Sequence, residues 1–333
     1  MPTLITVRSE GLYCEPGNFY IDPWRPVETA LITHAHSDHA RTGAQQYYAT
    51  AVSEGVLRRR LGAEINLQGV TYGEKLKLGD TWVSFHSAGH VLGSAQIRVE
   101  HKDEVWVVSG DYKRDADPTC EPFEVVECDT FITEATFGLP VYRWASGETT
   151  AAEIYRWWQA DSTRPSLLFC YAFGKAQRVL SELTKFTDQA VYAHGAVQAL
   201  TDIYREVGVE MLPTIPTADM PRSHKFTGDL VIAPPSGHRS AWMKRFKRPQ
   251  TAFASGWMAV RGARRRRGYE RGFVLSDHAD WPSLIQTVQE TQAKTVYVTH
   301  GQTDVLSRYL RETMEIEAMP LKTLFEGELE GDI

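Results

Sequence analysis

Residues 33–39, with the sequence Thr-His-Ala-His-Ser-Asp-His, concentrate side chains that bind metal ions. Three imidazoles and one carboxylate fall within six positions, namely His34, His36, Asp38 and His39. Histidine and carboxylate ligands suit zinc or manganese, and so dense a polar cluster is costly to bury unless cations neutralise it. The simpler alternative is a solvated polar loop.

The residues before this cluster indicate how it is positioned. Residues 30–33 begin with three apolar side chains and predict a buried strand, and a helix is predicted to begin near Ser37. The first two histidines can then converge from the turn between strand and helix. Asp38 and His39 project from the first helical positions toward a second point. Two points of convergence predict two metal ions.

Four further polar side chains stand at the ends of apolar runs. They are Asp22, His90, Asp111 and His300, and His90 lies in a glycine-flanked loop. Loops at the carboxyl ends of strands are where α/β scaffolds gather functional groups. Each of these residues taken alone is more often a capping residue than a ligand. Together with the cluster at 34–39, they predict a single polar site.

Length and composition predict an ordinary globular enzyme. The chain has 333 residues, 42% of them hydrophobic and 23% charged, which is enough for a large core and two domains. No run reaches the roughly 20 apolar residues of a membrane span, and residues 1–10 lack the apolar segment of a signal peptide. The four cysteines have no metal-binding spacing, so we expect reduced thiols and a cytoplasmic location.

The pattern of apolar runs changes near Glu148. Before residue 108 short runs at 18–21, 82–85, 95–99 and 105–108 predict strands of a mixed sheet with few helices. After Glu148 predicted helices at 149–160, 175–186 and 197–207 alternate with predicted strands at 166–170, 190–193, 230–233 and 252–255. This alternation is typical of a parallel, Rossmann-like sheet. The segment from 273 to 314 alternates in the same way.

Positive charge is concentrated in one part of an acidic chain. The net charge is -6, yet residues 261–267 have the sequence Arg-Gly-Ala-Arg-Arg-Arg-Arg. Five cations precede this run closely: Arg239, Lys244, Arg245, Lys247 and Arg248. Such a basic stripe fits a groove for a phosphate backbone beside an acidic metal site. A solvated, solubilising loop is the alternative.

Taken in order, the ligand-type residues resemble the motifs of the metallo-β-lactamase superfamily. The resemblance implies a four-layer αββα sandwich with two divalent metal ions, Zn²⁺ or Mn²⁺, at the edge of the sheets. It implies three sets of ligands: His34, His36 and His90 for one ion, Asp38, His39 and His300 for the other, and Asp111 as the bridge. Asp22 would correspond to the mainly structural aspartate of that superfamily. A bridging water would have its pKa lowered by the cations.

Two further segments resemble motifs of the β-CASP nucleases. Residues 132–138 resemble motif A around Glu134, and residues 276–280 resemble motif B around His278, while His300 would double as motif C. Residues 173–178 resemble the glycine-to-helix segment that opens the β-CASP domain. The fold class implied is α/β (α+β), with a metallo-β-lactamase domain made from residues 1–145 and 271–333. A Rossmann-like β-CASP domain would be inserted at residues 146–270.

Over its whole length the chain resembles the bacterial ligase-associated DNA exonucleases. The resemblance implies degradation of single-stranded DNA from the 5′ end, with some endonuclease action, in DNA repair at the nucleoid. It also implies a functional association with a DNA ligase and a helicase. Five cations, Arg264, Arg265, Arg266, Arg267 and Lys175, would contact the nucleic acid backbone.

The resemblance also implies roles for three acid–base residues. Asp38 would orient the attacking hydroxide or accept its proton. His278, polarised by Glu134, would protonate the leaving 3′-oxygen, because the ordinary pKa of histidine lies close to neutrality. Phosphate binding is the alternative role for His278, and a structural role at the interdomain hinge is the alternative for Glu134.

Three other functions compete with this one. The histidine at motif C is the residue that the RNA-processing branch of the β-CASP enzymes carries, so an RNA-processing endo- or exoribonuclease is the main alternative. A small-molecule hydrolase of the same fold would lack the long insertion between Glu134 and His278. A catalytically inactive scaffold would have lost ligands, and none is missing from the motifs.

Overall fold

The structure is a computed structural model that describes residues 3–260 and 268–324. The described chain divides into two compact units. The first comprises residues 3–116, 120–143 and 278–324, and the second comprises residues 117–119, 144–260 and 268–277. Among these residues, no helix has both the length and the apolar character needed to cross a membrane.

The first unit contains a six-stranded sheet, sheet A, whose strands lie side by side in chain order. Its strands are β1 (Ile5–Val7), β2 (Leu12–Cys14), β3 (Phe19–Ile21), β4 (Thr29–Leu31), β5 (Gln46–Thr50) and β6 (Leu67–Val70). The pairs from β1 to β3 are antiparallel and those from β3 to β6 are parallel. Helix α1 (Glu54–Leu61) falls between β5 and β6 in the chain.

A seven-stranded sheet, sheet B, is the second sheet of this unit, with the order β19-β18-β11-β10-β9-β8-β7. Its strands are β7 (Leu76–Leu78), β8 (Thr81–Ser87), β9 (Ala95–His101), β10 (Glu104–Val108), β11 (Thr130–Glu134), β18 (Thr295–Thr299) and β19 (Glu317–Pro320). Strands β7 to β10 form an antiparallel meander. Strands β10, β11, β18 and β19 pair in parallel.

The two sheets share one hydrophobic core. Phe19 and Leu31 of sheet A are buried in the same cluster as Phe85 and Val108 of sheet B. The opposite face of sheet B packs against α5 (Trp281–Glu290) and α6 (Thr303–Met314). Each large apolar side chain that is fully buried contributes about 1.5–3 kcal/mol. The prediction of one mixed sheet over residues 5–108 is therefore wrong, because these strands divide between two facing sheets.

The second unit is built on a six-stranded parallel sheet, sheet C, with the order β14-β13-β15-β12-β16-β17. Its strands are β12 (Ser166–Phe169), β13 (Val191–Ala193), β14 (Thr214–Pro216), β15 (Leu230–Ala233), β16 (Gln250–Ala254) and β17 (Arg271–Phe273). Its helices are α2 (Gly147–Gln159), α3 (Lys175–Glu182) and α4 (Gly195–Glu206). The predicted alternation of strands and helices is present, and the protein is of the α/β class.

The apolar face of sheet C around Phe169 and Phe253 is covered by aromatic side chains. Phe226 and Phe246 are buried against it, and Trp242 and Trp257 pack on its margin. These tryptophans therefore take part in core packing in this structure.

The predicted helix starting near Ser37 does not form. Residues 37–39 make a single turn, in which the His36 carbonyl accepts hydrogen bonds from the amides of His39 (3.1 Å) and Ala40 (2.8 Å). The chain then leaves helical geometry and passes through Gly43 at φ 111°, a conformation that favours glycine. The cluster is thus held on a loop rather than on a helix.

Candidate metal centre

Strand ends bring the polar residues of the first unit to one edge of the sheets. Strands β10, β11 and β18 are adjacent and parallel, so the residues after them emerge at the same edge. Asp111 follows β10, Glu134 ends β11, and His300 follows β18. His90 lies in the loop from β8 to β9, and residues 34–39 follow β4. The edge therefore gathers side chains that are far apart in the chain.

These side chains form overlapping buried groups in which all the ligand-type atoms lie within 4.8 Å of one another. The groups are His34, His36, His90 and Asp111; His34, Asp38 and His39; His39, Asp111 and His300; and Asp111, Glu134 and His278. Asp111 belongs to three of the four groups. It is the residue through which the others are connected.

Distances between individual atoms give the same picture. Asp111 Oδ2 lies 3.6 Å from Nε2 of His34 and 3.5 Å from Nε2 of His39. Asp38 Oδ2 lies 3.6 Å from Nε2 of His300. These separations exceed hydrogen-bond length but are short enough for ion pairs, so the ligand-type atoms converge at one place.

Asp22 holds His39 from the side away from this space. Asp22 Oδ2 lies 2.7 Å from His39 Nδ1, and Asp22 Oδ1 accepts the Thr33 amide at 2.7 Å. The Thr33 hydroxyl donates to Asp22 Oδ2 at 2.5 Å. This contact holds the imidazole so that Nε2 faces Asp111, and a hydrogen bond of this kind to a neighbouring carboxylate is what orients a ligating histidine. The motif at 33–39 contains Thr33, but nothing in its spacing singled out that hydroxyl.

The His90 loop is shaped by Ser94, which sequence reasoning also missed. Ser94 Oγ accepts hydrogen bonds from the amides of His90 (3.0 Å) and Val91 (3.2 Å). Gly89 and Gly93 adopt φ values of 67° and 73°. The two glycines that flank His90 were the available signal of a tight turn here.

Burial and neighbouring charges shift the pKa values of the cluster in both directions. Burial, followed by the charge of His39, lowers the pKa of His34 well below its ordinary value. Burial acts in the same direction on His39, but the carboxylates of Asp38, Asp111 and Asp22 outweigh it and raise its pKa well above the ordinary value. Burial raises the pKa of Asp38, whereas His39 and His300 lower it, to about 2. Asp38 is therefore ionised at neutral pH.

Several polar atoms at the centre have no hydrogen-bond partner among the described residues. They are Nε2 of His34, both carboxylate oxygens of Asp38, and Oδ1 of Asp111, and all are buried. An unsatisfied buried polar group costs about 1–3 kcal/mol, and more when it is charged. Bound cations would satisfy these atoms, and imidazole with carboxylate is a donor set for divalent metals. These buried clusters can therefore bind metal ions.

Glu134 and His278 form a hydrogen-bonded pair next to the ligand-type residues. His278 Nδ1 lies 2.9 Å from Oε2 and 3.1 Å from Oε1 of Glu134, and Oε1 also accepts the Tyr112 amide at 2.8 Å. The His278 ring is 4.7 Å from the ring of His90, centroid to centroid. The structure thus brings both predicted acid–base residues to the edge that carries the predicted metal ligands.

The predicted backbone-binding cations are not gathered in the same way. Arg264, Arg265, Arg266 and Arg267 lie outside the described residues. Lys175 is only 2% exposed, and its ammonium lies 2.9 Å from Oδ2 of Asp277, which is also buried. This placement argues for an internal ion pair and against the nucleic acid contact that the sequence suggested.

The chain is similar to proteins whose names refer to nucleic acid enzymes. A relative from Opitutus terrae named "Probable DNA ligase" is 30% identical over 309 residues, which is 91% of this chain. A relative from Methanocaldococcus jannaschii named "RNase J-like protein" is 23% identical over 54% of this chain. The chain spans only 30% of the first relative and 50% of the second. No family model matches the sequence.

A solved structure shares the fold. The crystal structure of a protein of unknown function from Enterococcus faecalis V583 superposes with a TM-score of 0.60. The match covers 90% of this chain and 80% of the other, at 12% sequence identity. At that identity the likeness concerns the fold alone.

Proposed function

We propose that this protein is a metal-dependent phosphodiesterase of the metallo-β-lactamase/β-CASP nuclease superfamily, most similar to the ligase-associated DNA exonucleases. The observation that carries the proposal is the convergence of seven buried histidine and aspartate side chains around Asp111. Relatives named as an RNase J-like protein and as a probable DNA ligase support action on nucleic acid. The metal ions of such a nuclease would also explain why buried carboxylate oxygens lack hydrogen-bond partners in the described chain.

The proposed ligands divide between two divalent cations, Zn²⁺ or Mn²⁺. His34, His36 and His90 would hold one cation, Asp38, His39 and His300 the other, and Asp111 would bridge them. Such cations supply a water of lowered pKa and stabilise the charge that develops on a phosphodiester during hydrolysis. In support, Asp111 Oδ2 lies at nearly equal distances from the imidazoles of His34 and His39.

The remaining chemistry falls to three side chains. Asp38 is ionised and would orient the attacking water or accept its proton. His278 would donate a proton to the leaving 3′-oxygen. Glu134 would hold the imidazole of His278 in place through the contacts at 2.9 and 3.1 Å. We assign this pair to proton transfer rather than to metal binding, because Oε1 of Glu134 already accepts the Tyr112 amide.

We assign the two units to the two domains of that superfamily. The first unit, with two facing sheets and helices on sheet B, would be the metallo-β-lactamase domain, an αββα sandwich. The second unit, with its parallel sheet and three helices, would be the β-CASP domain. In support, the described part of the second unit comprises residues 144–260 and 268–277, together with residues 117–119.

We propose single-stranded DNA as the substrate, degraded chiefly from its 5′ end in the cytoplasm. The relative named as a probable DNA ligase matches 91% of this chain, which supports a functional association with a ligase and, by extension, a helicase in DNA repair. Arg264 to Arg267 would contact the backbone, since a polyanion can approach a carboxylate-rich site only if cations offset its charge.

An RNA-processing ribonuclease is the second candidate. The observation that favours it is the similarity to a protein named RNase J-like, together with the histidine at position 300. Its chemistry would use the same residues, because a phosphodiester is cleaved in either case. Only the sugar and the tolerated structure of the strand would differ.

The decisive experiment compares DNA and RNA of identical sequence. Single strands labelled at the 5′ end, and separately at the 3′ end, are digested with Mn²⁺ and then with Zn²⁺, and with a chelator as the control. We expect loss of the 5′ label as mononucleotides from DNA, with RNA cleaved more slowly. Faster cleavage of RNA than of matched DNA would reverse the substrate assignment. Absence of cleavage of either strand with both metals would refute the proposed activity.

A further inference from the structure

One surface of the second unit carries a concentration of positive charge outside the metal centre. Between residues 217 and 248 the chain has seven Lys and Arg residues but only two Asp and no Glu, although its overall net charge is -6. Six of the seven are exposed: Arg222, Lys225, Arg239, Lys244, Lys247 and Arg248. We call these six residues the basic platform.

The seventh cation, Arg245, ties the two halves of this surface together. Its guanidinium donates to the Thr217 carbonyl at 2.6 Å and to the Met220 carbonyl at 3.0 Å. Phe226 and Phe246 pack against each other beneath it, with ring centroids 4.8 Å apart. Residues 217–226 and 239–248 therefore form one continuous surface, and Arg245 has a structural role in it.

Short-range contacts fix the geometry of the second half. Residues 241–245 form a short 3₁₀ helix, whose Trp242 amide donates to Ser240 Oγ at 3.2 Å. The Trp242 ring packs on Phe246 (4.7 Å) and on His194 (5.1 Å). With the aromatic side chains inside, the intervening lysines and arginines point outward. The charges are thus displayed on a supported surface.

The platform cations form no ion pairs with the described residues. Several surface cations elsewhere in the protein do have acidic neighbours, as in the pairs Arg58–Glu54 (2.7 Å) and Arg98–Glu100 (2.6 Å). Six like charges held on one surface repel one another and attract a partner of opposite sign. A polyanion with regularly spaced charges matches this distribution.

We propose that the basic platform binds the backbone of a single-stranded nucleic acid, a proposal that rests on the proposed nuclease function. The platform would hold the strand through the second unit, independently of any metal ion in the first. Nucleic acid is favoured over an acidic protein because the six cations come from two chain segments held side by side, and a flexible strand of regularly spaced phosphates can contact both.

The test measures how binding depends on salt. Binding of a fluorescent oligothymidylate to the whole chain is followed in EDTA, which prevents metal-dependent cleavage. Each phosphate contact with a single strand contributes about 0.7 to the slope of log K against log salt. We therefore expect the slope to fall by about 1.4 in Lys244→Gln/Lys247→Gln and in Arg222→Gln/Lys225→Gln. In the quadruple variant, which combines these four substitutions, the slope should fall by about 2.8.

The matched control is Lys102→Gln/Lys294→Gln. Lys102 is exposed in the turn between β9 and β10, and Lys294 precedes β18, so both lie at the sheet edge opposite to His90 and His300. This control should keep the wild-type slope. Circular dichroism checks that every variant is folded.

The possible outcomes separate this inference from the proposed activity. An unchanged slope in the quadruple variant would overturn the platform even if the protein cleaves DNA. A reduced salt slope in the quadruple variant, together with no cleavage of either strand by the wild-type protein, would support the platform and refute the nuclease. Wild-type binding to polyaspartate but not to the oligonucleotide would reassign the surface to an acidic protein and overturn the proposal.

Discussion

The protein contains two buried polar clusters of opposite design. In the first unit Asp22, Asp38, Asp111 and Glu134 are buried together with imidazoles, with no Lys or Arg ion pair among the contacts that the structure describes around them. In the second unit the buried carboxylates of Asp117 and Asp277 face the cations of Arg178 and Lys175, at 3.4 and 2.9 Å. The first cluster combines carboxylates with imidazoles and could bind an external cation, whereas the second contains its own cations.

This difference separates a functional site from a structural one. Buried ion pairs are tolerated when each charge has a partner and additional hydrogen bonds. Arg178 meets that condition, since it also donates to the Ser276 carbonyl at 2.8 Å. The carboxylate oxygens of Asp38 have no hydrogen-bond partner among the described residues. Asp38 Oδ2 instead lies 3.7 Å from His39 Nε2 and 3.6 Å from His300 Nε2, and because these partners are themselves ligand-type groups, we propose metal ions at the first cluster.

The largest effect should come from removing one carboxylate of the unmatched cluster. Asp38→Ala should lower hydrolysis by at least about 10³-fold, because a bound cation contributes several kcal/mol to stabilising the transition state. The variant should also bind less metal, as measured by mass spectrometry of the metal content. Its fold should be retained, because no protein hydrogen bond to the Asp38 side-chain oxygens is removed.

Asp103→Ala is the control for that variant. Asp103 is exposed and lies in the turn between β9 and β10, at the edge of sheet B away from Asp111. It should keep wild-type activity and metal content. Robust hydrolysis by Asp38→Ala would refute the role assigned to Asp38.

The next effect should come from unbalancing the matched cluster. Lys175→Met leaves the Asp277 carboxylate buried without its ammonium, and breaking a buried pair in this way costs about 3–5 kcal/mol. Urea unfolding, followed by the fluorescence of Trp157 and Trp158 in α2, measures the loss. Replacing both partners, as Lys175→Met/Asp277→Leu, should restore much of the stability, because no uncompensated charge remains.

An exposed pair in the same unit provides the comparison. Lys185 contacts Glu148 at 3.0 Å and Glu182 at 2.8 Å, and 45% of its side chain is exposed. Lys185→Met should change the free energy of unfolding by no more than about 1 kcal/mol. If Lys175→Met cost as little as that, the matched cluster would not be the structural element described above.

The sequence predicted the unmatched cluster far better than the matched one. His34, His36, Asp38 and His39 are neighbours in the chain, and Asp111 and His300 each end a recognisable apolar run, so local patterns sufficed to place them at one edge. Lys175 was predicted to contact a phosphate backbone, and its partner in the structure, Asp277, lies far away in the chain. Nothing local to Lys175 indicates which charge it will meet.

The errors in the predicted fold also arise from contacts between residues that are far apart in the chain. The strands before residue 108 were identified, but their division between sheets A and B depends on long-range pairing that runs of apolar residues do not encode. The helix predicted from Ser37 failed because tertiary contacts, such as that of His39 with Asp22 at 2.7 Å, hold the segment as a loop. Local propensity is a weak guide where side chains are committed to a site.

The smallest effect is a difference in how the two clusters respond to acid. Burial raises the pKa of Asp117, and this outweighs the opposing charge of Arg178. For Asp38 the balance is reversed, because His39 and His300 outweigh burial and lower its pKa to about 2. The two carboxylates should therefore contribute to stability with opposite signs.

In the metal-free protein Asp38 should add about 2 kcal/mol to the free energy of unfolding at pH values above its unfolded pKa of about 3.9. This contribution should be lost as the pH falls through about 2. The raised pKa of Asp117 makes the second unit more stable below the unfolded pKa, and this contribution is lost as the pH rises through the folded pKa.

The measurement is the unfolding free energy of Asp38→Asn and of Asp117→Asn relative to wild type, from pH 2 to 7. Asp38→Asn should be less stable than wild type near pH 5, and the difference should vanish toward pH 2. The stability of Asp117→Asn relative to wild type should increase as the pH rises. Parallel curves for the two variants would contradict the prediction that Asp38 and Asp117 contribute to stability with opposite signs.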